Sequence, residues 1–287
     1  MDNISKIIIF GASGMLGNYL YTYLSSVGCY NVVPLTRTDL DVSVATLKDI
    51  DNLLQNYGVG TDTLIINAVG VVPQTGNPNY KNYIKINTLF PHHLAYLSTK
   101  YGYKFIHPTT NCVFSGMKID GNYNEDDEPD ETDIYGVTKQ LGEPDSCCVI
   151  RTSLIGEEVN HNRSLVAWVF KNKGGAVDGY TNHFWNGVSC LQFAKIVHQI
   201  IKYDIFWKGV RHIYSPNSVS KYELVSMIND VYKCSVKIKK TCDDQKRDKT
   251  LCSKYGMIFD VPSVDDQIRE MSTYELFSNQ KTHTVYG

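Results

Sequence analysis

An apolar run, Ile7 to Phe10, passes directly into Gly11-Ala12-Ser13-Gly14-Met15-Leu16-Gly17, after which Met15, Leu16, Tyr19, Leu20, Tyr23 and Leu24 recur at helical spacing. Few features constrain a fold so tightly. A glycine turn between a buried strand and an amphipathic helix lets the backbone approach a pyrophosphate, and the helix N-terminus offers unpaired N–H groups to its charge. Glycines alone mark ordinary turns; the strand before and the helix after turn this trio into a dinucleotide-binding loop.

The same alternation continues down the chain. Asn31 to Leu35 reads as a second strand, and Leu47, Ile50, Leu53 and Leu54 mark a helix. Thr63 to Ile66 is a buried strand, and a long helical stretch from Tyr80 to Tyr101 leads into strand Lys104 to His107. A helix begins near Tyr135, and Cys147 to Ile150 is a strand again. Strands alternating with helices predict an α/β fold of Rossmann type, a doubly wound parallel sheet. Past residue 157 the alternation breaks down, and the turn-rich Ser215-Pro216-Asn217-Ser218 precedes a helix with Leu224, Ile228 and Val231. Residues 1–157 are therefore expected to bind the dinucleotide, and residues 158–287 to form mainly a smaller substrate-binding lobe, partly interleaved with the first.

Composition excludes several classes. A net charge of −2 gives no long-range field for a polyanion, so nucleic acid is not expected as a partner. No run of about 18 apolar residues is present, so no membrane span is expected. The start of the chain enters the first strand without a secretory pattern, and the eight cysteines form no C-x-x-C pair or zinc spacing. Reduced thiols in the cytoplasm, with no metal, are the expectation.

The second strand ends at Leu35-Thr36-Arg37, where an NAD-binding pattern would carry an acidic residue for the ribose 2′-hydroxyl. The Arg37 guanidinium and the Thr36 hydroxyl suit a 2′-phosphate instead, so the expected cofactor is NADP(H). Tyr135-Gly136-Val137-Thr138-Lys139 sets a phenol and an ammonium one helical turn apart. Reduction of a ketone creates an alkoxide that must be protonated, and a phenol with its pKa lowered by a nearby cation can donate. Thr110, at the end of its strand, can supply a hydroxyl to polarise the carbonyl. With 20 tyrosines a Tyr-x-x-x-Lys match can arise by chance; its coincidence with the glycine loop and Thr110 argues otherwise.

The glycine spacing G-x-x-G-x-x-G, Tyr135/Lys139, Asn67-Ala68, and Asn87 with Pro91 together resemble the extended short-chain dehydrogenase/reductases. The resemblance implies that Asp41-Val42 lies near the adenine and that Asn67 and Ala68 border the cofactor. Within that superfamily Thr109 to Gly116, Gly142-Glu143, Arg151-Thr152-Ser153, Asn186-Gly187-Val188, Ser215-Pro216 and Ser220 to Leu224 are similar to the dTDP-4-dehydrorhamnose reductase-like branch. One residue departs from the single-function reductases, which carry tyrosine where this chain has Cys112. Cysteine there resembles the bifunctional 3,5-epimerase/4-reductases, namely GDP-fucose synthase and the UDP-rhamnose synthases of plants and giant viruses. A 4-keto group acidifies the neighbouring C3 and C5 hydrogens, and a thiol can shuttle those protons.

That resemblance implies NADPH-dependent conversion of a nucleotide-linked 4-keto-6-deoxyhexose, with UDP as first choice and dTDP as second, to a rhamnose nucleotide. It also implies a second proton-transfer group at the start of the helix after the loop that follows strand Cys147 to Ile150, for which His161-Asn162-Arg163-Ser164, Lys171, Lys173 and His183 are the candidates. Asn111, Asn182, Trp185 and Arg247 are expected on the substrate side. Most thiols at a strand end are inert core, and a simple 4-reductase or a non-catalytic NADP-binding regulatory subunit remain as alternatives. A 4,6-dehydratase does not, because Asn111-Cys112 supplies no carboxylate pair. A homodimer is left open.

Overall fold

Ile7, Ile8 and Ile9 point alternately to the two faces of strand β1 (Lys6–Phe10), and all three are wholly buried. A continuous apolar run of this kind must be covered from both sides. The computed structural model describes residues 4–73, 79–159 and 163–276. After β1 come α1 (Met15–Val27), β2 (Asn31–Leu35), α2 (Leu47–Asn56), β3 (Thr63–Asn67), α3 (Tyr80–Asn82), α4 (Phe90–Tyr101), β4 (Lys104–Thr110), α5 (Ile134–Gln140) and β5 (Cys148–Thr152). Then follow β6 (Leu154–Ile155), α6 (Leu165–Lys171), β7 (Ala176–Tyr180), β8 (His183–Trp185), β9 (Val188–Ser189), α7 (Cys190–Lys202) and β10 (Gly209–His212). The last described elements are β11 (Val219–Ser220), α8 (Lys221–Val231), β12 (Lys237–Thr241), β13 (Arg247–Asp248) and α9 (Val264–Ser272).

The main sheet has six strands in the order β10-β5-β4-β3-β1-β2, every neighbouring pair parallel. Tyr19, Leu20 and Leu24 of α1 and Ile196, Val197 and Ile200 of α7 pack on one face. Ile50 and Leu54 of α2 and Phe90 and Leu94 of α4 cover the other. Leaving β1, the chain turns to β2 on one side and β3 lies on the other, so a crevice opens beyond their carboxyl ends. Ligands of open parallel sheets bind at such a switch point.

Residues beyond 157 contribute to the main sheet, and one helix departs from the sequence reading for a physical cause. The sixth strand, β10, comes from beyond residue 157 and pairs with β5 from Gly209↔Cys148 to His212↔Arg151. The helix expected over 80–101 is interrupted, because Tyr83–Leu89 winds as a π-helix and Phe90 N–H reaches back to Lys85 O. Pro91 has no N–H to give, and its ring cannot pack against the carbonyl four residues earlier, that of Asn87. Gly142 fills the space this creates: a Cβ there would lie 1.8 Å from Asn87 O. The Asn87 amide bonds Val71 N–H and C=O at 2.9 and 3.0 Å and donates to Thr138 Oγ1 at 3.3 Å, tying the loop after β3 to α5.

The smaller lobe is held by short pairings, a β11-β8-β13 sheet and a parallel β7·β12 pair. Its helix α8 starts with a capping box in which Ser220 and Glu223 satisfy each other's backbone N–H groups.

Candidate active site

Gly11 and Gly17 shape the turn at the crevice. Gly11 has φ +81°, and a Cβ there would lie 2.9 Å from the carbonyl of Ala68. A Cβ on Gly17 would come within 2.1 Å of Gly11 O. The turn is pinned by Gly11 and Ala12 N–H to Leu35 O at 2.9 and 3.0 Å, while Ala68 N–H reaches Phe10 O at 2.9 Å. Gly14 is the N-cap of α1 and carries no side-chain cap, so the first N–H groups of the helix face the turn. Ser13 is exposed and Met15 half-buried at this edge, while Leu16 and Val42 are core residues beneath it. A pyrophosphate fits this cradle, since a side chain at Gly11 or Gly17 would fill it.

Arg37 is exposed at the end of β2. The Thr36 hydroxyl is already engaged, donating to Asp39 Oδ2 at 2.9 Å and meeting Thr38 Oγ1 at 2.8 Å, so Arg37 is the group left for a 2′-phosphate. Asp41 accepts from Ser43 Oγ and N–H at 2.6 and 2.9 Å; those bonds, with a smaller pull from Arg37, hold its carboxyl below the usual range. Asn67 is buried at the end of β3, accepting from Val69 N–H at 3.1 Å and meeting His107 Nδ1 at 3.3 Å. Burial, reinforced by the Lys139 charge, keeps His107 neutral.

Four functional groups converge where β4 ends. Thr110 caps a short 3-10 turn, its Oγ1 accepting from Cys112 N–H at 3.0 Å. Cys112 is partly exposed, with Sγ 3.8 Å from Asn111 Oδ1. Helix α5, capped by Asp133 on Gly136 N–H at 2.7 Å, sits against that turn so closely that a Cβ on Gly136 would lie 2.6 Å from Cys112 O. Tyr135 is thereby brought beside Thr110 and Cys112. The phenol is not lowered by the cation as the sequence suggests: burial raises Tyr135, the Cys112 charge adds to this, and a hydrogen bond with Thr110 opposes them. Lys139 is buried, donates to Pro108 O at 3.2 Å, and is lowered by burial to about 8 against the pull of Glu143. A phenol that keeps its proton and an amine near neutrality suit a proton donor and its reservoir.

The smaller lobe closes the other side. Asn111 donates to Lys249 O at 2.8 Å, Asn182 donates to Asp243 O at 2.7 Å, and Arg247 N–H reaches Asn182 O at 3.1 Å. These polar groups thus hold segment 243–249 against the cleft, and Lys249 locks it to the start of α5 through Glu131 at 2.9 Å. Trp185 is buried, its indole N–H committed to Ser153 Oγ at 2.8 Å, so it supports the cleft from behind. Lys171 is exposed at the last turn of α6. His161 and Asn162 lie outside the described residues.

His183 lines a cavity of about 290 Å³ together with Trp168, Asp178, Tyr180 and Lys221. Its ring stacks on Tyr180 at 4.7 Å, and Nε2 lies 2.9 Å from Asp243 Oδ2. Sequence reasoning missed Lys221. It is the first residue of α8 after the Ser220 cap, where a cation opposes the helix dipole, and that mismatch was the available signal. Burial lowers its pKa and the Cys112 charge raises it. Among the described residues no group of His, Cys, Asp and Glu could hold a metal ion, and no helix is long and apolar enough to cross a membrane.

Residues 5–250 match the family described as the RmlD substrate binding domain. The chain belongs to that family. Among its relatives, a dTDP-4-dehydrorhamnose reductase of Aggregatibacter actinomycetemcomitans is 26% identical over 240 residues, 79% of each chain. The chain spans about half the length of two further curated relatives, 47% and 48%. A dTDP-4-dehydrorhamnose reductase from Bacillus anthracis, solved in complex with NADP, superposes with a TM-score of 0.79 at 18% identity, covering 93% of this chain and 98% of that one. A UDP-rhamnose synthase from Acanthamoeba polyphaga mimivirus does so at 0.70 and 19% identity, with the same coverage. At these identities the superpositions speak for the fold of the RmlD family.

Proposed function

We propose that this RmlD-family chain is an NADPH-dependent reductase of a nucleotide-linked 4-keto-6-deoxyhexose that also epimerises the sugar at C3 and C5, with UDP-4-keto-6-deoxyglucose as substrate and UDP-L-rhamnose as product. The reductase half draws on the relatives named as dTDP-4-dehydrorhamnose reductases and on the neighbour solved with NADP. Gly11, Gly14 and Gly17 would hold the pyrophosphate, Arg37 the 2′-phosphate, and Lys139 the ribose. NADPH supplies hydride to C4 when bound. Thr110 polarises the C4 carbonyl, Tyr135 gives its proton to the oxygen, and Lys139 restores it.

The epimerase half rests on one observation. Cys112 occupies the turn after β4, two residues past Thr110, with its backbone oxygen against the helix carrying Tyr135, so its thiol would lie near the carbon atoms flanking a ketone held by Thr110 and Tyr135. As thiolate it removes a proton from C5 or C3, the enolate forms against Thr110 and Tyr135, and reprotonation from the other side inverts the centre. The UDP choice rests on the likeness to the viral UDP-rhamnose synthase.

Incubation with UDP-4-keto-6-deoxyglucose and NADPH in deuterated water, followed by NMR and mass spectrometry, tests both halves. The expected product carries deuterium at C3 and C5 and has the L-configuration. A reduced product without deuterium would leave a simple 4-reductase, and NADPH binding without turnover would leave a regulatory subunit.

A further inference from the structure

Tyr135 can donate to a ketone oxygen only if the first turn of α5 is seated correctly against the turn that Thr110 caps. Gly136 is where the two meet. A Cβ there would lie 2.6 Å from Cys112 O and 2.5 Å from Glu131 Cγ, so the Glu131 side chain helps to set how the helix sits. Glu131 is itself held firmly. Its N–H donates to Val113 O at 3.0 Å, its Oε1 accepts from Thr132 N–H at 2.9 Å, and its Oε2 accepts from Lys249 Nζ at 2.9 Å. Lys249 comes from the smaller lobe. Its carbonyl accepts from Asn111, the neighbour of Thr110, at 2.8 Å, and Asp248 N–H donates to Gly116 O at 2.9 Å. The Lys249 stem crosses so close to the loop that a Cβ on Gly116 would lie 2.9 Å from its Cγ. A closed ring results: Asn111 holds Lys249, Lys249 holds Glu131, Glu131 rests on Gly136, and Gly136 abuts the turn that begins at Asn111. Both charged side chains are half-buried. Burial pushes the Glu131 carboxyl up, but the bonds from Lys249 and Thr132 N–H outweigh this and hold it below its ordinary value.

We propose that Glu131 and Lys249 are positioning residues for the reduction: their ion pair sets where Tyr135 stands relative to Thr110 and makes that placement depend on the smaller lobe. The inference rests on the reductase half of the reading above and is independent of the epimerase half. Both residues act through others, Glu131 through Gly136 and Lys249 through Asn111. An exposed ion pair would contribute little, but this one closes a ring around the turn that carries Cys112 and follows Thr110. Proton transfer requires hydrogen-bond reach, so a misplacement of about 1 Å costs about 100-fold in rate. The glycine turn from Gly11 to Gly17 is built by β1, α1 and the end of β3, apart from this ring, so cofactor binding is left intact when the pair is broken.

Lys249→Met, Glu131→Gln, the double variant and Lys249→Arg test this with two readouts. One is NADPH-dependent reduction of the already epimerised 4-keto sugar, linked to UDP or to dTDP, with NADPH affinity measured separately by fluorescence titration. The other, on the protein without cofactor, is hydrogen–deuterium exchange of the backbone amides followed by mass spectrometry. Lys249→Met and Glu131→Gln are each expected to lower kcat about 10- to 100-fold with NADPH affinity unchanged. The double variant should lose no more than the worse single one, because the ring is already open, and Arg, which keeps the ion pair, should recover most of the turnover. Exchange should rise in α5 while β1 and α1 stay as protected as in the native protein. Native-like kcat in Lys249→Met or Glu131→Gln, losses that multiply in the double variant, or no recovery with Arg would overturn the positioning role. Exchange raised equally along the whole chain would overturn it too, making the pair a general brace. Failure of the native protein to reduce either sugar would instead remove the reductase reading, and this inference with it. Glu131→Gln and Lys249→Arg keep the size of the side chains, so a Met variant that fails to fold still leaves a decisive measurement.

Discussion

Arg151 and Glu143 form a buried bidentate ion pair, Nε–Oε1 2.8 Å and Nη2–Oε2 2.6 Å, joining β5 to the segment that follows α5. The guanidinium also lies over the Phe114 ring, 5.4 Å from its centroid. The helix carrying Tyr135 and Lys139 is thus braced from below by an ion pair, one member of which, Glu143, also pulls on the Lys139 charge. Removing one partner leaves the other charge buried and uncompensated. Arg151→Met or Glu143→Leu alone is therefore expected to cost about 3–5 kcal/mol, and the double replacement much less than the sum. Urea unfolding of the three variants checks this; additive losses would show that the two residues do not act as a pair.

Lys139 makes a prediction in pH. Burial lowers its folded-state pKa to about 8, against an ordinary value of 10.5. Below the folded value both states hold the proton, and the native state bears the full cost of a buried ammonium. Between the two values the unfolded chain binds more protons, so stability rises with pH. Lys139→Met is then expected to stabilise the fold at about pH 7 by up to about 3 kcal/mol, less the lost bond to Pro108 O, while turnover collapses. The gain should shrink by about pH 9.5. Equal effects at both pH values, read from urea midpoints, would contradict the shift.

In the proposed reading, Arg37 would set cofactor choice through one exposed guanidinium. Its replacement by Ala should weaken NADPH binding about ten- to a hundred-fold and NADH binding little, because only NADPH carries a 2′-phosphate. Titration of protein fluorescence with each cofactor measures this, and equal losses would remove Arg37 from the site.

Much of the nucleotide side was legible because its signals are local. Buried parallel strands read as unbroken apolar runs, and Gly11 to Gly17 encode a turn within a few residues of chain. The π-helical stretch was not legible although Pro91 was noted, because the consequence depends on Gly142 packing against the Asn87 carbonyl from another element. Strand β10 is four residues, GVRH, with no apolar run to announce it, and becomes a strand only through its pairing with β5. The lobe resisted for the same reason. Asn111, Asn182 and Arg247 are polar residues near a cleft, yet which of their atoms hold segment 243–249 is decided by tertiary contacts. Lys221 stood within the Ser220–Leu224 segment already singled out, but nothing in the linear chain connects it to Cys112.

Cys112→Ser tests the central claim most directly. Serine keeps approximate size, but its hydroxyl is far less acidic than a thiol, whose unperturbed pKa is about 8.5. The measurement is deuterium incorporation at C3 and C5 of UDP-4-keto-6-deoxyglucose in deuterated water, compared with NADPH-dependent reduction of the pre-epimerised sugar. The ratio of exchange to reduction is expected to drop at least about 100-fold in the Ser variant. Native-like exchange in that variant would reduce Cys112 to a packing residue at the end of β4.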